Sequence, residues 1–177
     1  EIILKAMQSK RVMASCDPFV IGDENVMGYL AARLKLRLPQ DRLINFSSLD
    51  PKKLKPGRPT VESGQAMTSY IEEAVCLAID GAVDAIVTAP ISKSAAKLSG
   101  FKFPGHTEFI AHLTGAKDFA MMLGGASLKV ILVTIHEPIS KVPRLVTRDA
   151  VFKTIKLTDD AFKVFFGIKR PRIAVAG

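Results

Sequence analysis

Between Ser63 and Thr88 the apolar pattern changes once, from a helical stripe to a nearly continuous run. Met67, Tyr70, Ile71, Ala74, Val75, Ala78 and Ile79 recur on one face at helical spacing, with Ser63 as the expected cap and Gly81 as the stop. Residues 83–88 then carry Val83, Ile86 and Val87 in an apolar run broken by Ala89-Pro90, as expected of a parallel strand covered on both faces. A helix that feeds such a strand needs a layered arrangement to bury both, which favours an α/β fold over a bundle or a sandwich.

The rest of the chain continues the alternation. Glu1 to Ala6 reads as a helix already under way, residues 11–16 and 18–21 as short extended segments, and Asp23 as the cap of a helix carrying Val26, Met27, Leu30, Ala31 and Leu34. Residues 43–49 predict another strand, and 51–59, rich in Pro and Lys, a connecting loop. A short helix begins at Ser92-Lys93-Ser94 and ends near Gly100, and another covers 108–113. Strands are expected over 119–123 and 128–134, and Thr147 caps a last helix with Val151, Ile155, Phe162, Phe165 and Phe166 in a stripe. Residues 171–176 form a β-type run closed by Gly177, so a mixed or parallel sheet is expected. The uncapped start, and an end where a ligand loop would come next, suggest a piece of a longer protein.

Composition narrows the function classes. With 48% hydrophobic and 24% charged residues the chain is neither disordered nor low-complexity. No apolar run approaches a membrane span and no secretory signal is visible, so the expected location is cytoplasmic, without a membrane partner. The net charge of +8 is dispersed except at Lys52, Lys53, Lys55 and Arg58, and without tryptophan there is no stacking platform for bases. No nucleic-acid partner is therefore expected, whereas an anionic small molecule suits the charge. Cys16 and Cys76, 60 positions apart, predict neither a disulfide nor a zinc knuckle and read as buried small hydrophobes.

Two of the three histidines stand at strand-to-loop positions: His106 beside Thr107 and Glu108, and His136 after Thr134-Ile135. Open α/β folds place ligands at such strand ends, an imidazole suits a late divalent metal, and a hydroxyl at a helix start suits an anion. Plain polar loop residues account for both almost as well, and His112, between Phe109 and Leu113 in sequence, reads as structural. Thr88, Ser92 and Lys93 offer two hydroxyls and an ammonium to an anion, and a solvated turn explains them nearly as well. No P-loop, GxGxxG, GxSxG or CxxC is present. No catalytic residue is assigned.

The strings DAIVTAPISK (84–93), FPGHTEF (103–109), MML (121–123) and VTIH (133–136), supported by VIGD (20–23), ESG (62–64) and PRIAVAG (171–177), resemble the 4-hydroxythreonine-4-phosphate dehydrogenase family of pyridoxal phosphate biosynthesis. The resemblance spans essentially the whole sequence. It implies an incomplete three-layer α/β/α fold of the isocitrate/isopropylmalate dehydrogenase type, with 1–100 in one lobe and 101–177 in a second, cleft- and dimer-forming lobe. It also implies a homodimer that oxidises the 3-hydroxyl of 4-phosphooxy-L-threonine with NAD or NADP, followed by decarboxylation assisted by zinc, magnesium or cobalt. The family's substrate-binding pair falls on His106 and Thr107, and one of its metal histidines on His136. Its other metal histidines and phosphate-binding residues have no counterpart in this sequence, so the 177 residues alone are expected to be inactive. A relative acting on 4-phospho-threonate or 4-phospho-erythronate, or a non-catalytic anion-binding or assembly domain, are the competing readings.

Overall fold

In the computed structural model, residues 1–125 and 127–176 are described. The opening helix is present as α1 (Ile2–Ala6), but of residues 11–16 only Cys16 is extended: 11–15 fall in α2 (Lys10–Ser15), with Cys16 as its C-cap. Lys10, Arg11, Met13 and Ala14 are good helix formers, Ser9 holds the N-cap position, and so short a segment is too brief for its period to separate helix from strand.

Strand β1 (Val20–Gly22) pairs in parallel with β2 (Leu43–Asn45), Val20 opposite Leu43 and Gly22 opposite Asn45. Between them runs α3 (Glu24–Leu34), started by Asp23 and closed by Lys35 in the left-handed conformation. The second strand ends at Asn45 rather than Leu49 because its next residues are used elsewhere. Asn45 Oδ1 accepts from the Glu24 amide at 2.8 Å, while Ser47 and Leu49 donate to Asp23.

Helix α4 (Val61–Ile79) is the longest element, and its cap differs from expectation. Thr60 is the N-cap and Ser63 sits three residues on: the Thr60 hydroxyl accepts from the Ser63 amide at 3.1 Å, and the Ser63 hydroxyl accepts from the Thr60 amide at 3.0 Å. After α4, residues 83–88 do not form the expected strand. No strand among the described residues pairs with them, and without a partner a β-type run forms no strand. Ile86 still packs inward, whereas Val87 is 96% exposed.

Helix α5 (Lys93–Leu98) lies against α4, with Ala95 and Ala96 buried, and α6 (His106–Thr114) ends at Gly115 with φ 67°. The first compact unit, Glu1–Gly115, holds two apolar clusters. Leu4, Val20, Met27 and Ala31 centre one, and Ile71, Val75 and Phe109 centre the other, with Ile86, Ile91, Phe101 and Phe103 packed on it.

The second unit, Ala116–Gly177, contains β3 (Met122–Gly124) and β4 (Lys129–Ile131), then α7 (Val142–Leu145) and α8 (Arg148–Phe165). The two strands are shorter than expected and antiparallel, Met122 opposite Ile131, because the Gly125 amide donates to the Leu128 carbonyl at 2.8 Å and turns the chain back on itself. Thr147 caps α8 as expected, accepting from the Ala150 amide. The α8 stripe is only partly covered: Phe162 packs on Phe166 at 5.0 Å, but Phe165 is 81% exposed. Residues 171–176 form no strand, and Gly177 lies outside the described residues.

Both units combine helices with a two-stranded pair, an α/β fold, but strict alternation is confined to β1, α3 and β2. No described helix is long and apolar enough to cross a membrane. Both cysteines are exposed rather than buried, Cys16 at the end of α2 and Cys76 one residue round the helix from the buried Val75.

Candidate functional site

His106 and Thr107 open α6, so the backbone amides of its first turn surround them. The N-cap is Gly105, in extended backbone, and no side chain caps the helix. The turn is held from behind by rings. Phe109 is 5% exposed and belongs to the cluster of Ile71 and Val75 on α4. Phe101 meets it edge-on at 4.9 Å, and Phe103 lies 5.0 Å from both Phe109 and His112. His112 is exposed, and its ring packs on Phe103.

The second candidate loop is rooted in the same cluster. Ile86 and Ile91, on either side of Thr88, both pack against it. Ser92 is the N-cap of α5: its hydroxyl accepts from the Ala95 amide at 3.3 Å and lies 3.2 Å from the Ser94 hydroxyl. Thr88 and Lys93 are exposed. A depression of about 250 Å³ lies where the loop 57–59 meets the starts of α4 and α5, and Arg58, Ser63, Met67, Ser92 and Ser94 help to line it. Arg58 is its one charged residue. The crowding of lysines around position 58 was the available signal, and it reads more readily as a solvated loop than as an anion site. The nearby α4 terminus is already satisfied by its capping box, and the Glu62 carboxyl is held below its usual range by its own backbone amide and Thr60.

A third feature was legible in the sequence only as a helix cap. The Asp23 carboxylate, 3% exposed, accepts from the Val26 amide at 2.9 Å, the Leu49 amide at 2.7 Å and the Ser47 hydroxyl at 2.6 Å. Ser47 also lies 2.6 Å from the Tyr70 hydroxyl on α4. Burial alone would raise the Asp23 carboxyl, but the bonds from Ser47, Val26, Leu49 and Asn25 together hold it below its ordinary value. Burial pushes the Tyr70 hydroxyl up, Ser47 opposes that, and the Asp23 charge adds to it.

His136 belongs to the second unit, exposed, with φ 56°. That left-handed backbone is uncommon for a residue other than glycine, and histidine tolerates it better than bulkier side chains do. Among the described residues no group of three His, Cys, Asp or Glu side chains could hold a metal ion, so His136 offers a single imidazole.

Residues 14–177 match the family model described as pyridoxal phosphate biosynthetic protein PdxA. The 4-hydroxythreonine-4-phosphate dehydrogenase of Desulforapulum autotrophicum is 41% identical over 192 residues, covering 100% of this chain and 56% of the relative. The D-threonate 4-phosphate dehydrogenase of Cupriavidus necator is 38% identical, with 100% and 57% covered. The crystal structure of 4-hydroxythreonine-4-phosphate dehydrogenase from Klebsiella pneumoniae superposes with a TM-score of 0.79 at 30% identity, over 97% of this chain and 57% of that one. The chain therefore spans little more than half the length of the relatives it matches.

Proposed function

The chain belongs to the PdxA family of pyridoxal phosphate biosynthetic proteins, and from that premise we propose that the full-length protein oxidises the 3-hydroxyl of 4-phosphooxy-L-threonine with NAD or NADP, and that the product is then decarboxylated with help from a divalent metal. His106 and Thr107 bind the substrate. One observation carries this assignment: α6 opens on the pair behind a glycine that offers no capping side chain, leaving first-turn amides, an imidazole and a hydroxyl to an anionic ligand. Thr88, Ser92 and Lys93 form a secondary anion contact, with the Ser92 hydroxyl shared between ligand and helix cap.

His136 serves as one ligand of zinc, magnesium or cobalt. The described residues do not complete a metal site, so no step within this chain runs through the metal. The proposal includes a homodimer, a cytoplasmic location, and the three-layer isocitrate dehydrogenase-like arrangement for the whole protein.

A second reading is oxidation of 4-phospho-threonate or 4-phospho-erythronate, and the name of the Cupriavidus necator relative supports the first of these acids. The full-length protein, given each of the three phosphorylated acids with NAD and a divalent metal, distinguishes these readings by substrate-dependent NADH formation. Turnover of 4-phosphooxy-L-threonine with the highest kcat/KM supports the first. Preference for one of the other acids replaces it with the second, and no turnover of any acid removes both.

A further inference from the structure

We infer that Phe103 is a positioning residue: its ring, set between Phe109 and His112, fixes the direction in which the chain enters α6 and so where His106 and Thr107 stand. The inference rests on the proposed role of that pair. Gly105 precedes His106 in extended backbone, with no Cβ and no capping side chain to limit its rotation. Rigidity at the start of the helix must then come from either side of the glycine. On the far side, Phe109 is anchored in the cluster of Ile71 and Val75. On the near side, Phe103 lies 5.0 Å from Phe109 and 5.0 Å from His112, spanning the first and second turns of α6. Phe101 closes the set, 5.5 Å from Phe103 and 4.9 Å from Phe109. Phe103 stands two residues before the N-cap and packs on the fourth helical position, one place further out than the N′ residue of a hydrophobic staple, and by the same kind of contact it sets the entry angle of the chain. Phe103 touches neither His106 nor Thr107 in this scheme; it acts through the backbone of 104–105 and through Phe109.

The test uses the full-length protein with Phe103→Ala, Phe103→Tyr and Met27→Ala, the last being a truncation in the other apolar cluster. Phe103→Ala should raise KM for the phosphorylated acid roughly tenfold, the scale expected for a displaced binding pair, and leave kcat and the KM for NAD within about twofold. Phe103→Tyr keeps the ring and should restore the KM. Met27→Ala should lower the melting temperature without moving KM. Amide hydrogen exchange over 106–109 adds a readout independent of turnover, and should accelerate in Phe103→Ala but not in Met27→Ala. An unchanged KM or unchanged exchange in Phe103→Ala overturns the inference, as does an equal effect from Met27→Ala. If the wild-type protein turns over none of the acids, the functional reading fails separately, and the exchange comparison still decides whether Phe103 orders the turn.

Discussion

Replacing Gly64 with alanine should destabilise the first unit, although the same change elsewhere in a helix is favourable. A Cβ at position 64 would sit 2.2 Å from the Ala95 carbonyl oxygen, 2.8 Å from the Ala95 carbonyl carbon and 2.8 Å from the Ser99 hydroxyl. Two of these atoms are backbone and cannot swing aside, so α5 would have to retreat from α4 by about 1 Å to reach ordinary contact. Overpacking of this kind costs up to roughly 3 kcal/mol, and the better helix propensity of alanine returns about 1 kcal/mol. The net loss is about 2 kcal/mol, which for a chain of this size lowers the melting temperature by roughly 4–8 °C. Gly28 provides the control, because a Cβ there meets only a Leu38 methyl at 3.9 Å. Gly28→Ala should therefore stabilise by up to about 1 kcal/mol. Urea denaturation of the two variants beside the wild type makes the comparison, and a Gly64→Ala protein as stable as Gly28→Ala would refute the close approach of α4 and α5.

Because folding holds the Asp23 carboxyl below its ordinary value near 3.8, its contribution to stability is present in full above that value and is lost as the pH falls through the folded one. Asp23→Asn should cost about 2 kcal/mol near neutral pH and should flatten the acid limb of the stability profile, and an acid limb identical to wild type would count against the network. Thr60→Ala, which opens the capping box of α4, should lower urea stability by about 1 kcal/mol, and no change would show that the cap is not limiting. The 177-residue chain alone should form no substrate-dependent NADH, and His136→Ala in the full-length protein should reduce bound zinc measured by elemental analysis; full activity from the short chain would remove the argument from ligand number.

What the sequence disclosed follows from which structure is local. Asp23 and Thr147 were legible as caps because a polar residue before an apolar helical stripe acts within its own turn. The stripe on α4 was equally clear, but Thr60 and Ser63 form a reciprocal pair, and either could have been taken for the cap. Residues 83–88 have the composition of a strand, yet strand formation depends on a hydrogen-bonded neighbour that no local pattern supplies. Residues 11–15 went the other way, part of a helix too short to show its period. In the candidate site, the motif singled out His106, Thr107 and His136, whereas the nearness of Arg58 to Ser92 joins positions 34 residues apart and leaves no periodic trace. The bonds from Ser47 and Leu49 to Asp23 were hidden for the same reason.

Because α4 is packed by α5, α6 and β1, its amides should be among the slowest in the first unit to exchange with solvent. Ser92 and His106 stand at the starts of α5 and α6, the two helices that lean on it. A disturbance of Ile71 or Val75 would loosen both helix starts at once, whereas one at Ala31 would reach neither directly. The helix thus acts as a common bearing for two recognition segments that are separate in the chain.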